Sequence, residues 1–198
     1  MAHFILASGS ASRADMLRRA GLAFDIQKPR IDEEMVRDAL LGDGAKPRDI
    51  ADTLAEMKAR KVSEKKPDAL VIGSDQVLDH AGDLFSKPAD IAEAKAQIRR
   101  LSGQKHQLLS AAVICENGKP IWRHVGVVRM QMREISEAYL DAYLARNWDS
   151  IRHSVGGYKL EEEGVRLFSR VDGDYFTVLG MPLLEILSYL SLRGDLET

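Results

Sequence analysis

The sequence predicts an α/β fold with α+β character, in which helices flank a mixed, twisted β-sheet. Short apolar runs alternate with segments of helical spacing in the first half of the chain, as in strand–helix–strand units. Hairpin turn signals at 80–83 and 116–119 add antiparallel strands. With 198 residues, 45% of them hydrophobic, the chain is long enough to bury a core. We expect a single domain over residues 1–198, with two lobes around a cleft.

The first elements are predicted from apolar runs and helical spacing. Residues 4–7 form a strand, which a tight turn at Ser8-Gly9-Ser10 connects to a helix that Gly21 ends. Residues 23–26 alternate as a half-buried strand does, and a polar loop containing a proline follows at 28–34.

An amphipathic helix is predicted next, over about residues 47–65, followed by a buried strand at 69–72. We expect this strand to end at the polar cluster Gly73-Ser74-Asp75-Gln76. Because ligands of such folds favour the carboxyl ends of strands, this cluster and the turn after the first strand are expected to face one cleft. The apolar face of the helix consists of Ile50, Leu54, Met57 and Val62.

The middle of the chain contains hairpins around a helix. The turn at 80–83 leads to a helix that begins near Ile91 and that Gly103 ends. Strands at 108–114 and 121–132 then flank an Asn-Gly turn.

The last third is predicted to contain two helices. The first begins after Ser136, with Asn147 as its C-cap, and Pro182 opens the second. Between them, residues 165–168 and 175–178 bracket a turn.

Composition narrows the class of protein. Lys and Arg total 28 against 30 Asp and Glu, so the net charge of −2 provides no positive field to recruit nucleic acid or an anionic membrane. No apolar run approaches the ~18 residues of a membrane span, and no leader pattern precedes the first strand. The single cysteine, Cys115, lies in an apolar run and is expected to be a buried, inert thiol. We expect a soluble, cytoplasmic protein.

The segment Ser8-Gly9-Ser10-Ala11-Ser12-Arg13 is a candidate phosphate-binding turn. It offers hydroxyls, helix N-terminal N–H groups, a flexible glycine and a guanidinium, all of which suit a phosphate. The alternative is that Ser12 simply caps the helix, with Asp15 completing a capping-box-like pair.

Asp75 is the candidate catalytic carboxylate. Placed after a buried strand, it would need a partner, a proton or a metal, and it could take a proton from an attacking water or hold Mg²⁺ near phosphate. The alternative is a side chain that caps a turn.

The remaining charged candidates are ambiguous one by one. Asp32, Glu33 and Glu34 add carboxylates, and Lys58 and Lys87 together with Arg13 would neutralise a triphosphate if they converged. The run 161–163 is by default a solvated acidic surface. The five histidines and Cys115 lack the spacing of zinc ligands or of a cysteine nucleophile, and no P-loop or dinucleotide glycine motif is present.

Seven short motifs follow one another along nearly the whole chain: Leu6–Arg13, Ile31–Glu33, Leu54–Ala59, Val71–Val77, Lys87-Pro88, Leu101–Gly103 and Val178–Leu183. In this order they resemble the Maf family of nucleotide pyrophosphatases, the septum formation inhibitor Maf-like proteins. Each motif is weak alone, but the set is specific.

The resemblance implies a fold like that of inosine triphosphate pyrophosphatase and a house-cleaning enzyme. It would hydrolyse a nucleoside triphosphate between the α and β phosphates, releasing a monophosphate and pyrophosphate with the help of Mg²⁺ or Mn²⁺. In family terms Asp75 would accept the proton and, with Glu33, support the metal. The residues implied to bind substrate are Ser8, Ser10, Arg13, Lys58 and Lys87 for the phosphates, and Ser12, Gln76 and Glu161 for the base.

Details of the motifs leave the substrate open. Ser74-Asp75-Gln76 with Glu161 resembles the branch that acts on 7-methylguanosine triphosphate, but that branch tends to have Trp where this chain has Ser12. The family often has Pro-Arg-Arg where this chain has Ala11-Ser12-Arg13, so one cation is missing. A non-catalytic, nucleotide-binding regulator of cell division is therefore the alternative function. The apolar strand at 121–132 is a candidate homodimer interface.

Overall fold

A computed structural model describes residues 3–197, which contain seven strands and seven α-helices. The predicted α/β class is confirmed. The strands are β1 (His3–Ala7), β2 (Phe24–Ile26), β3 (Ala69–His80), β4 (Asp83–Phe85), β5 (Lys105–Glu116), β6 (Lys119–Met132) and β7 (Phe168–Asp172). The helices are α1 (Ala11–Arg19), α2 (Glu33–Gly42), α3 (Pro47–Ser63), α4 (Ile91–Leu101), α5 (Glu137–Ile151), α6 (Tyr175–Val178) and α7 (Leu183–Arg193).

The seven strands form one mixed sheet in the order β2-β1-β3-β5-β6-β7, and β4 pairs with β3. β1 runs parallel to both of its neighbours, with Phe4 opposite Phe24 and Ala7 opposite Gly73. β4 and β7 pair antiparallel with β3 and β6. The parallel part therefore comes from the early strand–helix units, and the antiparallel part from the later hairpins.

The chain divides into two compact units, and β3, β5 and β6 each contribute residues to both. The first unit comprises the chain up to residue 76, residues 109–126 and residues from 174 onward. Its core packs α1 and α7 against β1, β3 and β5, and among its largest buried side chains are Leu6, Leu17, Ile72, Ile114 and Ile186. The single domain expected over residues 1–198 stays a prediction, and Met1, Ala2 and Thr198 lie outside the described residues.

The second unit comprises residues 77–108 and 127–173. Helix α4 packs against α5, and Ile98, Leu101 and Tyr143 are fully buried. Beside them, the rings of Tyr158 and Phe168 meet edge to face with centroids 4.7 Å apart.

Both predicted hairpins are confirmed. Ala81 and Gly82 at one turn and Asn117 and Gly118 at the other all have positive φ angles, as a two-residue type I′ hairpin turn requires. Cys115 is buried as expected, and burial raises the pKa of its thiol to about 11, which keeps it protonated and inert. No helix within residues 3–197 has the length and apolarity needed to cross a lipid bilayer.

The predicted end of the third strand is wrong. β3 does not stop at Ile72 but continues to His80, so Asp75 and Gln76 lie in the middle of a strand. The polar residues are tolerated there because Ser74, Asp75 and Gln76 each have a hydrogen-bond partner from another element.

Three further expectations fail at the level of elements. Glu33 and Glu34 begin helix α2 instead of lying in a loop, because Asp32 Oδ1 accepts a hydrogen bond from the N–H of Met35 and caps the helix. Helix α5 continues past Asn147 to Ile151. On α3, Met57 is 36% exposed whereas Lys58 is 4% exposed, so the lysine occupies the buried face.

Candidate active site

The turn after β1 is held by its own side chains. The hydroxyl of Ser8 accepts a hydrogen bond from the N–H of Ser10 (3.2 Å), and the hydroxyl of Ser10 accepts one from the N–H of Arg13 (3.3 Å). Ser10 is therefore the N-cap of α1, and the alternative that Ser12 caps this helix is wrong. Ser12 lies in the first turn of α1, and Asp15 pairs with Arg18 instead.

Arg13 is fixed at two points of its guanidinium. Nε donates to the carbonyl of Gly180 (2.8 Å), and Nη1 donates to the hydroxyl of Ser8 (3.3 Å). Burial lowers the pKa of the Arg13 guanidinium, while the negative charges of Asp75 and Glu33 act in the opposite direction. An arginine held in this way is preorganised to present its remaining donors to an anion.

The carbonyl of Gly180 links this turn to β3. It also accepts a hydrogen bond from the hydroxyl of Ser74 (3.0 Å), which lies 2.8 Å from the carbonyl of Ala111 as well. Gly180 has a φ of 110°, a conformation that favours glycine. The turn and the polar cluster of β3 are thus neighbours, although the cluster lies within β3 and not after its end. That the two face one cleft stays a prediction.

A buried lysine joins two carboxylates in the same unit. Lys58 Nζ lies 2.8 Å from Asp75 Oδ1 and 2.8 Å from Glu33 Oε2. The side chains of Lys58 and Asp75 are 5% and 6% exposed, whereas that of Glu33 is 41% exposed. Three residues that are ambiguous in the sequence therefore form one ionic cluster, from α3, β3 and the start of α2.

The cluster forms because α3 lies unusually close to β3. A Cβ atom on Gly73 would lie 2.3 Å from the carbonyl oxygen of Ala55 and 2.6 Å from the amide nitrogen of Ala59. Only glycine permits this approach, which brings Lys58 to Asp75 two residues further along the strand.

One oxygen of Asp75 is buried without a partner. Oδ1 accepts the bond from Lys58, whereas Oδ2 has no hydrogen bond from any residue among 3–197. The alternative that Asp75 caps a turn is excluded, since the residue is in a strand and its partner is a lysine. An unsatisfied buried carboxylate oxygen is costly, and it is the type of atom that accepts a proton or binds a cation.

Asp75 and Glu33 are also the side chains that could hold a divalent metal. No group of three or more His, Cys, Asp or Glu side chains within the described residues could do so. Mg²⁺ is commonly bound by one or two carboxylates, with waters and substrate phosphates completing its coordination. The pair fits a cation of that kind, which would arrive with phosphate.

The side-chain amide nitrogen of Gln76 donates hydrogen bonds within the protein. Nε2 lies 3.0 Å from the hydroxyl of Ser110 and 3.1 and 3.0 Å from the carbonyl oxygens of Thr177 and Val178. Because carbonyls only accept, these contacts fix which end of the amide is nitrogen. The side-chain oxygen of Gln76 is therefore the end that points away from them.

Two predicted site residues, Lys87 and Glu161, belong to the second unit. Lys87 lines a cavity of about 750 Å³ with Asp90, Trp148, Arg152 and His153, among others. Glu161 is exposed in a turn. Their convergence with Asp75 stays a prediction.

The expectation that 161–163 is only a solvated acidic surface is wrong for two of its members. Glu162 accepts hydrogen bonds from Ser150 and Lys159. Glu163 accepts bonds from Arg146, Asn147 and Tyr139, which lower the pKa of its carboxyl to about 2. These bonds hold the turn that carries Glu161 against α5.

Sequence reasoning missed Ser74, Ser110 and Gly180 as parts of this arrangement. Ser110 donates to the carbonyl of Thr177 (2.7 Å) and so fixes the segment that Gln76 contacts. The signal was present, because Ser74 and Gly180 lie in two of the seven motifs, but the contacts join residues 37 to 106 positions apart.

Comparison with known proteins agrees with this geometry. The family model of the Maf-like proteins matches residues 3–192. The chain belongs to the Maf family. All first-unit residues discussed above, including Asp75, lie within the part that the Maf model matches.

Relatives of this Maf protein carry two kinds of name. A protein of Roseobacter denitrificans named nucleoside triphosphate pyrophosphatase is 68% identical over 192 residues, which cover 97% of this chain and 96% of the relative. One of Ruegeria pomeroyi with the same name is 64% identical and covers 98% of each chain. A protein of Brucella abortus named 7-methyl-GTP pyrophosphatase is 44% identical over 94% of each chain.

Proposed function

We propose that this Maf protein is a nucleoside triphosphate pyrophosphatase that hydrolyses the bond between the α and β phosphates. The observation that carries the proposal is the buried Oδ2 of Asp75, which has no hydrogen-bond partner among residues 3–197, while Lys58 binds the other oxygen, Oδ1. The residue before Asp75, Ser74, shares the carbonyl of Gly180 with Arg13 of the turn suited to phosphate. The names of the most similar relatives quoted above support the same reaction class.

The phosphates would be bound by the turn after β1. The N-terminal N–H groups of α1 and the unused donors of Arg13 attract negative charge, and Ser8 and Ser10 hold both in place. Ser12, in the first turn of the same helix, is proposed to shape the base pocket with Gln76 and Glu161. Polyphosphate hydrolysis depends mainly on such positioning and charge stabilisation.

The hydrolytic step needs a water and a proton acceptor. We assign Asp75 Oδ2 to accept a proton as the water oxygen attacks the α-phosphorus. The bond from that phosphorus to the oxygen bridging to the β-phosphate breaks, and the electron pair leaves with pyrophosphate. The hydrogen bond from Lys58 Nζ to Oδ1 holds the carboxyl group of Asp75 in place for this step.

A divalent cation, Mg²⁺ or Mn²⁺, would be held by Asp75 and Glu33 together with phosphate oxygens, and it would supply further charge neutralisation. Lys58 lies between the two carboxylates and sets their spacing. Lys87 is proposed as a second cation for the polyphosphate.

The base would be recognised through hydrogen-bond acceptors. Since the nitrogen of Gln76 is committed to Ser110, Thr177 and Val178, its oxygen is the atom left to accept a bond from a ligand. Glu161 would add a second acceptor. Acceptors match the N–H groups of a guanine, and this supports 7-methylguanosine triphosphate as a candidate substrate beside unmodified nucleotides.

The reaction is tested with a panel of nucleoside triphosphates that includes 7-methylguanosine triphosphate, with Mg²⁺ or Mn²⁺. We expect equal amounts of nucleoside monophosphate and pyrophosphate. Release of orthophosphate and a diphosphate would overturn the choice of bond. Nucleotide binding without turnover would instead support the regulator.

The role of Asp75 is tested by Asp75→Asn, which keeps the shape of the side chain but removes its charge. We expect kcat to fall by about 10²-fold or more, the size of a lost acid–base contribution. Asp68→Asn, an exposed position before the same strand, is the matched control. Full activity in Asp75→Asn, with native circular dichroism, would contradict the assignment of Asp75 as the proton acceptor.

A further inference from the structure

Lys28, which lies in the segment between β2 and α2, packs over the turn after β1. A Cβ atom on Gly9 would lie 2.8 Å from Cε of Lys28, 3.2 Å from its Cδ and 3.4 Å from its Cγ. The stem of the lysine therefore lies along Gly9 and carries its ammonium to the same turn as Ser8 and Arg13.

Glycine at position 9 makes room for the Lys28 stem and is not required by the backbone conformation. Gly9 is not among the glycines with a positive φ, so an L-residue could adopt its conformation. A side chain at position 9 would displace Lys28, because the three atoms nearest to its Cβ atom are carbons of the lysine stem.

The ammonium of Lys28 has no competing partner. Within residues 3–197, Lys28 takes part in no hydrogen bond or ion pair, and the residue is exposed. By contrast, Arg13 is bonded to Ser8 and Gly180, and Lys58 is bonded to two carboxylates. Lys28 is thus a cation at this turn that can follow an incoming anion.

We infer that Lys28 is a phosphate-binding residue of this site, which contacts the polyphosphate of the bound nucleotide. The inference rests on the proposed function for the identity of the ligand. Its chemistry is that of a charge-assisted hydrogen bond from a mobile ammonium to a phosphate oxygen. Neither the motifs nor the spacing of the sequence points to Lys28.

Lys28→Gln is the direct test, and Lys66→Gln, another exposed lysine of the same unit, is the matched control. We expect Lys28→Gln to raise KM for the nucleotide about tenfold, the size of one charge-assisted bond, with little change in kcat. Lys28→Arg should restore most of the affinity. The effect of Lys28→Gln should shrink as salt is added, because an exposed charge contact is screened.

Gly9→Ala provides a second, independent route to the same contact. Since the three atoms nearest to the added methyl belong to the flexible stem of Lys28, we expect a folded protein with a raised KM. If Gly9 acts through Lys28, the double variant should be no worse than Lys28→Gln alone. Additive losses would overturn the claim that Gly9 makes room for the lysine.

The failure of this inference is distinguishable from the failure of the proposed function. Binding of pyrophosphate, measured by calorimetry alongside the kinetics, does not need turnover. Absence of hydrolysis by the wild type would reject the pyrophosphatase reaction. Equal KM values and equal pyrophosphate affinities in Lys28→Gln and Lys66→Gln would reject the role of Lys28.

Discussion

Lys58 illustrates how single residues decide the electrostatics of the candidate site. The ammonium of a lysine that is 4% exposed costs several kcal/mol to desolvate unless it is paired, and here two carboxylates pair with it. Arg13 and Lys58 together balance Asp75 and Glu33, so these four side chains sum to no net charge. A triphosphate must therefore find its counter-charge elsewhere, which is why a metal, Lys28 and Lys87 matter to the proposed reaction.

A second buried titratable residue, His106, is expected to make the stability of the protein depend on pH. Its Nε2 shares a hydrogen bond with the hydroxyl of Tyr158 (2.7 Å), while its Nδ1 is buried without a partner among the described residues. Burial lowers the pKa of His106 to about 4, with a smaller contribution from His80.

The sign of the pH effect follows from this lowered pKa. Between about pH 6.5 and pH 4 the unfolded chain binds a proton at position 106 that the folded protein does not. The contribution of neutral, buried His106 to the free energy of unfolding is therefore fully present above about pH 6.5. It is lost as the pH falls to about 4, and the loss amounts to about 3 kcal/mol.

Urea unfolding at several pH values checks this prediction against His106→Gln, which keeps a polar partner for Tyr158 but cannot titrate. The wild type should lose more stability than the variant across this window. Parallel curves for the two proteins would show that His106 does not cause the pH dependence.

At the scale of elements, the packing of α3 on β3 positions Lys58, and Gly73 permits that packing. We expect Gly73→Ala to lower the free energy of unfolding by about 3 kcal/mol, because the methyl meets backbone atoms of Ala55 and Ala59. This is the upper end of the range typical of an overpacked core. Activity should fall as well, since Lys58 moves with the helix.

Gly42→Ala is the matched control for Gly73→Ala. Gly42 ends α2, and no described atom outside its chain neighbours and its own helix backbone lies within 4 Å of the position that a Cβ atom would take there. We expect this variant to unfold at the same or a slightly higher urea concentration. Unchanged stability and activity in Gly73→Ala would contradict the account of the helix–strand contact.

Most elements could be predicted from the sequence because apolar periodicity and turn residues are local signals. The start of helix α2 was missed because its first residues, Glu33 and Glu34, continue the polar run that was assigned to a loop, although Val36 and Leu40 follow at helical spacing. The length of β3 was missed because Ser74, Asp75 and Gln76 look like a strand end until their partners in distant segments are known. Lys28 gives no local signal at all.

At the scale of the whole molecule, the two compact units are not separate along the chain. The borders between them fall inside β3, β5 and β6, so three strands carry residues of both units. If one unit unfolded, part of each of these three strands would lose its backbone hydrogen bonds, and the other unit would lose the continuity of its strands. We therefore expect the two units to unfold in one cooperative step.

The two tryptophans make this expectation measurable, because each unit contains one. Trp122, stacked on Tyr189, belongs to the first unit, and Trp148 belongs to the second. Fluorescence of Trp148→Phe therefore reports the first unit, and fluorescence of Trp122→Phe reports the second. We expect each fluorescence transition to coincide with loss of circular dichroism in the same variant. A fluorescence transition that clearly precedes the loss of dichroism in either variant would show that its unit unfolds alone, and the shared strands would then not couple the units.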